Sequence, residues 1–244
     1  ENPKNEEQKK PEEKKESAAP QIKPSKGTKN QYILNKSMKS LSEPGYSVIR
    51  EKRLFGLKSP SFYLIHNDDM VYHAMLKETS DGKAFIINTE ERIDRYSKSF
   101  VGYLKVQESR TRFTLKVPSG SLSEIEHKEV LGFHFYPHDN NKREVFIIAP
   151  PPGVPYYPAN KEVSLSRLAK SMNVPPRFSS FIGHSETPVC GIESIKNMVI
   201  KKSCDESKVL QFFKSGKDIY HINIQSDFSP LTAFAFAIAC IIMK

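Results

Sequence analysis

His134 and His138 stand four residues apart in "HFYPH", a spacing that in a helix would aim two imidazoles at one metal ion. This stretch reads as a strand running into a proline turn, so the pair reads as two surface histidines. His73, His184 and His221 are scattered, with no partner evident in the sequence. The carboxylate pairs Glu90-Glu91 and Asp68-Asp69 fall at the ends of strand-like segments, where solvated side chains are the norm. The three cysteines, Cys190, Cys204 and Cys240, make an odd count with no C-x-x-C. That speaks against a disulfide framework or a cysteine zinc site and for a reducing compartment. Cys240 lies in an apolar run and reads as an inert core thiol. There is no phosphate-binding G-x-x-x-x-G-K-[ST], no dinucleotide G-x-G-x-x-G and no nucleophile G-x-S-x-G. Nothing here points to an enzyme, and no metal or cofactor is expected.

Charge is the stronger signal. The 244 residues carry a formal net charge of +9. The first 29 hold eight Lys and six Glu, a net of about +2, so most of the excess lies on the part that folds. A basic folded surface suits phosphates, those of nucleic acid or of an anionic membrane; the plain alternative is a soluble surface that happens to be basic. With no Trp and no interleaving of basic and aromatic residues, nucleic-acid recognition is not expected.

The elements that would position these groups begin at Gly45. Residues 1–44, including "NEEQKKPEEKKESAAPQIKPSKG", are rich in Lys, Glu and Pro and poor in large apolar residues, so they read as a disordered tail. From Gly45 the pattern predicts short strands at Tyr46–Glu51, Ser61–His66, Met70–Glu78, Ala84–Thr89, Phe100–Gln107, Thr111–Val117, Glu129–Tyr136, Glu144–Ala149, Ile192–Ile200, Lys208–Phe213 and Asp218–Gln225. "SDGK" (Ser80–Lys83) and "HDNN" (His138–Asn141) carry turn chemistry. So many strands in one run suggest a barrel or sandwich rather than βαβ units. One surface helix is predicted over Val163–Asn173, with apolar Val163, Leu165, Leu168 and Met172, ended by Pro175-Pro176.

The chain closes on "FSPLTAFAFAIACIIMK". Ser229 and Pro230 form a helix start, a capping hydroxyl followed by proline at the first helical position. In Leu231–Met243, Thr232 is the single polar side chain, and a helix apolar all round must be buried in protein or lipid. Thirteen helical residues span about 20 Å, short of the roughly 30 Å hydrocarbon core. A core helix is therefore expected rather than a tail anchor. A barrel of eight strands fills its lumen with side chains; a larger one leaves a hole that an apolar helix can plug. The expected fold is mainly β, a closed antiparallel barrel of about twelve strands over residues 45–244, around a buried hydrophobic C-terminal helix at about residues 230–243.

Five stretches, in order, resemble the C-terminal domain of tubby and tubby-like proteins. "SKSFVGYLKVQESRTRFTLKV" (Ser97–Val117) is similar to the family's S-Y-I-G-K-L-R-S-N-x-x-G-T-K-F-T-V. "EVLGFHF" (Glu129–Phe135) resembles N-V-L-G-F-K-G, and "REVFIIAP" (Arg143–Pro150) resembles R-K-M-x-V-I-V-P. "ESIKNMVI" (Glu193–Ile200) resembles A-S-V-K-N-F-Q-I, and the stretch from Val209 to Ala239 resembles the family's V-L-Q-F-G-R-V-G-K-D ending and final helix. The match spreads over roughly Gly45–Met243 and is that of a divergent member.

The resemblance implies a twelve-stranded barrel filled by its C-terminal helix and binding of phosphoinositides, above all phosphatidylinositol 4,5-bisphosphate, at a basic patch. It also implies a cytoplasmic, monomeric adaptor, peripheral at the plasma membrane or cilium, that carries membrane-protein cargo. The family's G-K-L-R lipid-binding tetrapeptide is here Gly102-Tyr103-Leu104-Lys105, so Tyr103 stands at the Lys position and Lys105 at the Arg position. A headgroup-contacting Asn in the preceding strand matches Ala84, with Lys83 just before it. By the two-residue period of a strand, Tyr103, Lys105 and Gln107 share a face. Lys105 meets a phosphate as a point charge and lacks the planar fork of arginine. The phosphoinositide-binding residues expected are Lys105, Tyr103, Lys83 and Arg112, with Lys77, Lys98, Arg110 and Lys116 in or beside the same strands. The headgroup site is therefore a weakened one. The alternative is a protein-interaction or structural module on the same barrel that has lost specific headgroup binding.

Overall fold

The computed structural model describes residues 45–52, 59–80, 82–119, 127–137, 142–188, 191–225 and 227–243. The tail at 1–44 and the "HDNN" turn lie outside the described residues. Twelve antiparallel strands close into a barrel in the order β1-β12-β11-β10-β9-β8-β7-β6-β5-β4-β3-β2, a simple up-and-down path around the ring. The strands are β1 (Tyr46–Glu51), β2 (Ser61–His66), β3 (Asp69–Thr79), β4 (Gly82–Asn88), β5 (Phe100–Gln107) and β6 (Arg112–Pro118). They continue as β7 (His127–Pro137), β8 (Arg143–Ala149), β9 (Ser179–Ser185), β10 (Met198–Lys202), β11 (Lys208–Gly216) and β12 (Ile219–Ile224). The barrel closes where Tyr46, Ser47, Val48 and Ile49 of β1 pair with Ile222, His221, Tyr220 and Ile219 of β12.

Helix α3 (Pro230–Ile242) fills the barrel, as the apolar composition of the segment requires. Of its thirteen residues only Thr232 and Ile242 are not buried. Its start is a reciprocal cap: the Ser229 hydroxyl accepts from the Thr232 N–H at 3.2 Å, and the Ser229 N–H donates to the Thr232 hydroxyl at 2.8 Å. The helix's single polar side chain is thereby used at its end, as in a capping box. Phe236 meets Phe133, Phe135 and Phe212 with ring centroids 6.1, 6.2 and 6.4 Å apart, and Phe234 stacks on Tyr72 at 6.1 Å. Two cations meet the orphan carbonyls at its far end. The Lys196 ammonium donates to the Ile241 oxygen at 2.5 Å, and Arg143 donates to the oxygens of Cys240 and Met243 at 3.5 and 3.4 Å. A helix C-terminus needs such donors when it ends inside a protein. Cys240 is 1% exposed, and burial pushes its thiol far above the usual range, so it is inert. Among the described residues no helix is long and apolar enough to cross a membrane.

Two short helices lie outside the barrel. Helix α1 (Glu108–Thr111) turns β5 into β6. Helix α2 (Leu165–Ser171), preceded by a 3-10 turn at Lys161–Val163, packs Leu165, Leu168 and Ala169 on Phe146 and Ile148 of β8. It is shorter than the predicted Val163–Asn173, because Asn160 caps the 3-10 turn separately and Met172 adopts a left-handed φ of 54° that ends the helix. Leu165 and Leu168 are buried, whereas Val163 and Met172 are exposed. The helix sits so close to β7 that a Cβ on Gly132 would lie 2.2 Å from the Leu165 carbonyl carbon.

Strand β9 was absent from the sequence pattern, and Ile192–Ile200 is a strand only from Met198. In β9 ("SSFIGHS") the inward positions are Phe181 and Gly183, so one of the two carries no hydrophobic side chain. A Cβ at Gly183 would lie 2.3 Å from Ile200 Cδ1 and 2.5 Å from Val145 Cγ1, so its neighbours fill that space. Residues 192–197 form a loop instead of a strand because Asn197 is buried within it. Its side-chain N–H donates to the Ile192 oxygen at 2.9 Å, and its side-chain oxygen accepts from the Lys214 N–H at 2.9 Å.

Candidate functional site

The register of β3 to β7 sets the outer face on which Tyr103, Lys105 and Arg112 lie, whereas Lys83, one residue before Ala84, alternates to the side of Phe85 at the rim of the barrel. One row runs Lys77–Ala84–Lys105–Thr114–Gly132 and the next Ile86–Tyr103–Lys116–Glu129. A third runs Gln107–Arg112–His134–Phe146. Lys77 and Lys105 thus flank Ala84 two strands apart, about 10 Å at ordinary strand spacing. Tyr103, Lys105 and Gln107 share the face, as their spacing requires.

The four expected residues are not equivalent. Lys105 is half-buried, whereas Lys83 is exposed and pairs with Glu78 at 3.6 Å, across the β3–β4 hairpin. Arg112 is 5% exposed and Tyr103 only 3%. Tyr103 belongs to a small outer cluster with Ala84 and Ile86, against which Ile93 and Phe100 pack. The edge of His127 meets its ring at 5.1 Å, and the Arg95 guanidinium carbon lies 5.5 Å from the ring centroid. Tyr103 therefore works as a packed aromatic platform under a cation, an arrangement worth about 0.5–2 kcal/mol. Ala84 is equally buried, so β4 brings only a methyl group to that position.

Two residues that govern the face carried no sequence signal. Arg95 comes from the loop between β4 and β5, and no strand period could place it over Tyr103. Its Nε is buried with no hydrogen-bond partner among the described residues. It lines a cleft of about 490 Å³ with Lys77, Ile86, Asp94, Tyr96 and the β3–β4 turn. Glu78 and Asp94 line the same cleft, so its two cations are matched by two carboxylates.

The second residue is Glu129, 2% exposed. One carboxylate oxygen accepts from the Leu165 N–H at 2.7 Å, and the other lies 3.6 Å from the Lys116 ammonium. Burial pushes its carboxyl above the usual range, opposed by the Leu165 hydrogen bond and by the charges of Lys116 and Lys105. The carboxylate thus sits where two lysines and a backbone N–H converge, the donor set that would otherwise hold a phosphate oxygen. In the sequence Glu129 opens an ordinary strand-like run, and nothing local marks its side chain as buried.

Among the described residues no group of three His, Cys, Asp or Glu converges on a metal position. His134 is buried with its ring 4.4 Å from that of Tyr136, edge to face. It is thus a packed residue, not the surface histidine expected. His138 lies outside the described residues. No family model matches the chain, and no curated protein compared with it is similar.

Proposed function

We propose that the protein is a non-enzymatic adaptor of the tubby-like type that binds anionic phosphoinositide membranes through the outer face of β3 to β6. The observation that carries this reading is the row in which Lys77 and Lys105 flank the small Ala84, on a closed barrel plugged by its own C-terminal helix. Lys105 is the principal phosphate contact. Lys83 and Lys77 add to the local potential, and Arg95, held over Tyr103 with an unpaired Nε, supplies a guanidinium where the tetrapeptide lacks one. Tyr103 acts as a support for Arg95 and Arg112 as a buried structural cation. Nearby basic groups contribute about 1 kcal/mol each at an anionic surface. Delivery of membrane proteins to cilia, implied by the resemblance, is the process in which such a reader would serve.

Liposome co-sedimentation tests this reading. Binding to vesicles containing phosphatidylinositol 4,5-bisphosphate should exceed binding to charge-matched phosphatidylserine vesicles, and Lys105→Ala should reduce the difference severalfold. Equal binding to both vesicles, or an unchanged Lys105→Ala variant, sinks it.

Glu129 favours a second reading, a protein-interaction barrel whose headgroup pocket is closed by its own carboxylate. Under that reading Glu129→Gln does not restore a preference for the phosphoinositide. Under the first it strengthens it, because the competing negative charge is gone.

A further inference from the structure

A second cluster of cations lies four to six strands around the ring from β5, where the end of β1 meets the β11–β12 hairpin. Arg50, Lys52, Lys214 and Lys217 line a pocket of about 260 Å³ with Ile192, Gly216, Tyr220 and a single carboxylate, Asp218. The formal charge of the lining is +3, whereas the cleft beside Arg95 is balanced.

The pocket is built. Asp218 has a left-handed φ of 62°, a conformation uncommon outside glycine but one that Asp tolerates. From there its backbone oxygen accepts from the Arg50 N–H at 2.9 Å, and one carboxylate oxygen accepts from Arg50 Nε at 2.6 Å. Its other carboxylate oxygen lies 3.3 Å from the Lys52 ammonium. The carboxylate therefore orients two of the cations. Lys214 is fixed through its backbone on both sides: its N–H donates to Asn197 at 2.9 Å, and its oxygen accepts from the Ile192 N–H at 2.8 Å. Among the described residues neither the Lys214 nor the Lys217 ammonium has a carboxylate within salt-bridge distance. Lys196, at the same end of the barrel, registers the local field. Burial first, then the charges of Arg50 and Arg143, draw its ammonium down to about 8.

A solvated basic surface spreads its charges; this one gathers four around a cavity and spends its single carboxylate on holding two of them. We propose that the pocket between β1 and the β11–β12 hairpin is an anion site for a phosphomonoester group, held by Lys214 and Lys217 with Arg50 and Lys52 behind them. The site is separate from the β3–β6 face and does not depend on it. A phosphomonoester dianion supplies more acceptor oxygens than one carboxylate, so Lys214 and Lys217 gain partners without Asp218 leaving Arg50.

Two probes test it: inorganic phosphate by isothermal titration, and vesicles of phosphatidylcholine with phosphatidic acid against the same vesicles with phosphatidylserine at equal charge. The folded chain should bind phosphate, or prefer phosphatidic acid. The double variant Lys214→Ala/Lys217→Ala should lose about tenfold or more in affinity, the loss of about one charged hydrogen bond. Lys214→Arg/Lys217→Arg should retain binding, and thermal melting should show all variants folded. Phosphate binding without vesicle preference assigns a soluble ester, and the reverse assigns a lipid headgroup. Binding to neither probe, or an unchanged double alanine variant, overturns the site. Lys105→Ala is run in parallel. It should bind both probes as the unaltered chain does, because Lys105 is not in the lining of the pocket; loss there with retention in the double variant overturns the pocket and leaves the β3–β6 reading to its own vesicle test.

Discussion

The carboxylate of Glu129 accepts a 2.7 Å hydrogen bond from the Leu165 N–H, tying β7 to the start of α2 across 36 residues of chain. The same group neutralises Lys116 on the barrel's outer face. One buried side chain thus fastens the outer helix and sets the charge of the candidate lipid face.

Glu129→Ala leaves a backbone donor and a mostly buried ammonium without their acceptor. Breaking one side of such a pair costs about 3–5 kcal/mol. Glu129→Gln keeps an oxygen for the Leu165 N–H and should cost about half as much. Urea denaturation followed by circular dichroism orders the two variants. Equal losses would mean that the hydrogen bond to Leu165 contributes little.

Gly132→Ala tests the seat of α2. The added Cβ would meet the backbone of Leu165 and Ser166 at 2.2–2.4 Å, where no flexible side chain can move aside. The helix must shift or β7 must bend, a strain of at least about 1–3 kcal/mol. The expected readout is a lowered urea midpoint, with proteolysis first appearing near residues 160–172. An unchanged midpoint would show that α2 rides loosely on the barrel.

These two residues also mark where sequence reading stopped. Eleven strands and the plug were legible because each carries a local pattern. In β1, β2 and β5 turn residues bound the apolar run, and those boundaries match. Helix α3 announced itself by Ser229, Pro230 and an unbroken apolar run. Strand β9 was silent because Gly183 occupies an inward position, so the alternation that defines a half-buried strand is missing. Glu129 and Arg95 act through partners distant in sequence, Leu165 and Tyr103 among them. No local period encodes such contacts, so the charge balance of the β3–β6 face was not legible in the sequence.

The two ends of the pH scale report on different groups. For Asp218, burial raises the carboxyl pKa, but the hydrogen bonds and charges of Arg50 and then Lys52 outweigh it and leave it below 3.8. A folded value below the unfolded one gives stability that is full above pH 3.8 and is lost as pH falls through the lowered value. Asp218→Asn should flatten that acid limb. Lys196 shifts in the same direction at the alkaline end, there because burial and neighbouring cations disfavour its charged form. Its folded value of about 8 lies below the unfolded 10.5, so the unfolded chain binds more protons in between, and stability rises as pH climbs through that window. Lys196→Met should remove the alkaline rise even if it changes overall stability through the lost bond to Ile241. Urea midpoints measured across pH separate the two limbs. An unaltered alkaline slope in Lys196→Met would refute the assignment.

Helix α3 carries the most severe expectation. A twelve-stranded ring without its plug has a lumen lined by Phe62, Tyr72, Phe113, Phe133, Phe135 and Phe212, all buried. Water in that lumen would meet almost no hydrogen-bonding partner, and an empty lumen would forfeit the contacts that hold the strands together. Deleting Leu231–Met243 should therefore unfold the barrel, seen as loss of cooperative melting, and not release an intact domain. The single substitution Phe236→Ala grades the same effect. It removes a ring that meets Phe133, Phe135 and Phe212, and should cost about 3–5 kcal/mol. A truncated chain that stays folded and soluble would mean that the strands close without the helix, and the central-plug account of this sequence would be wrong.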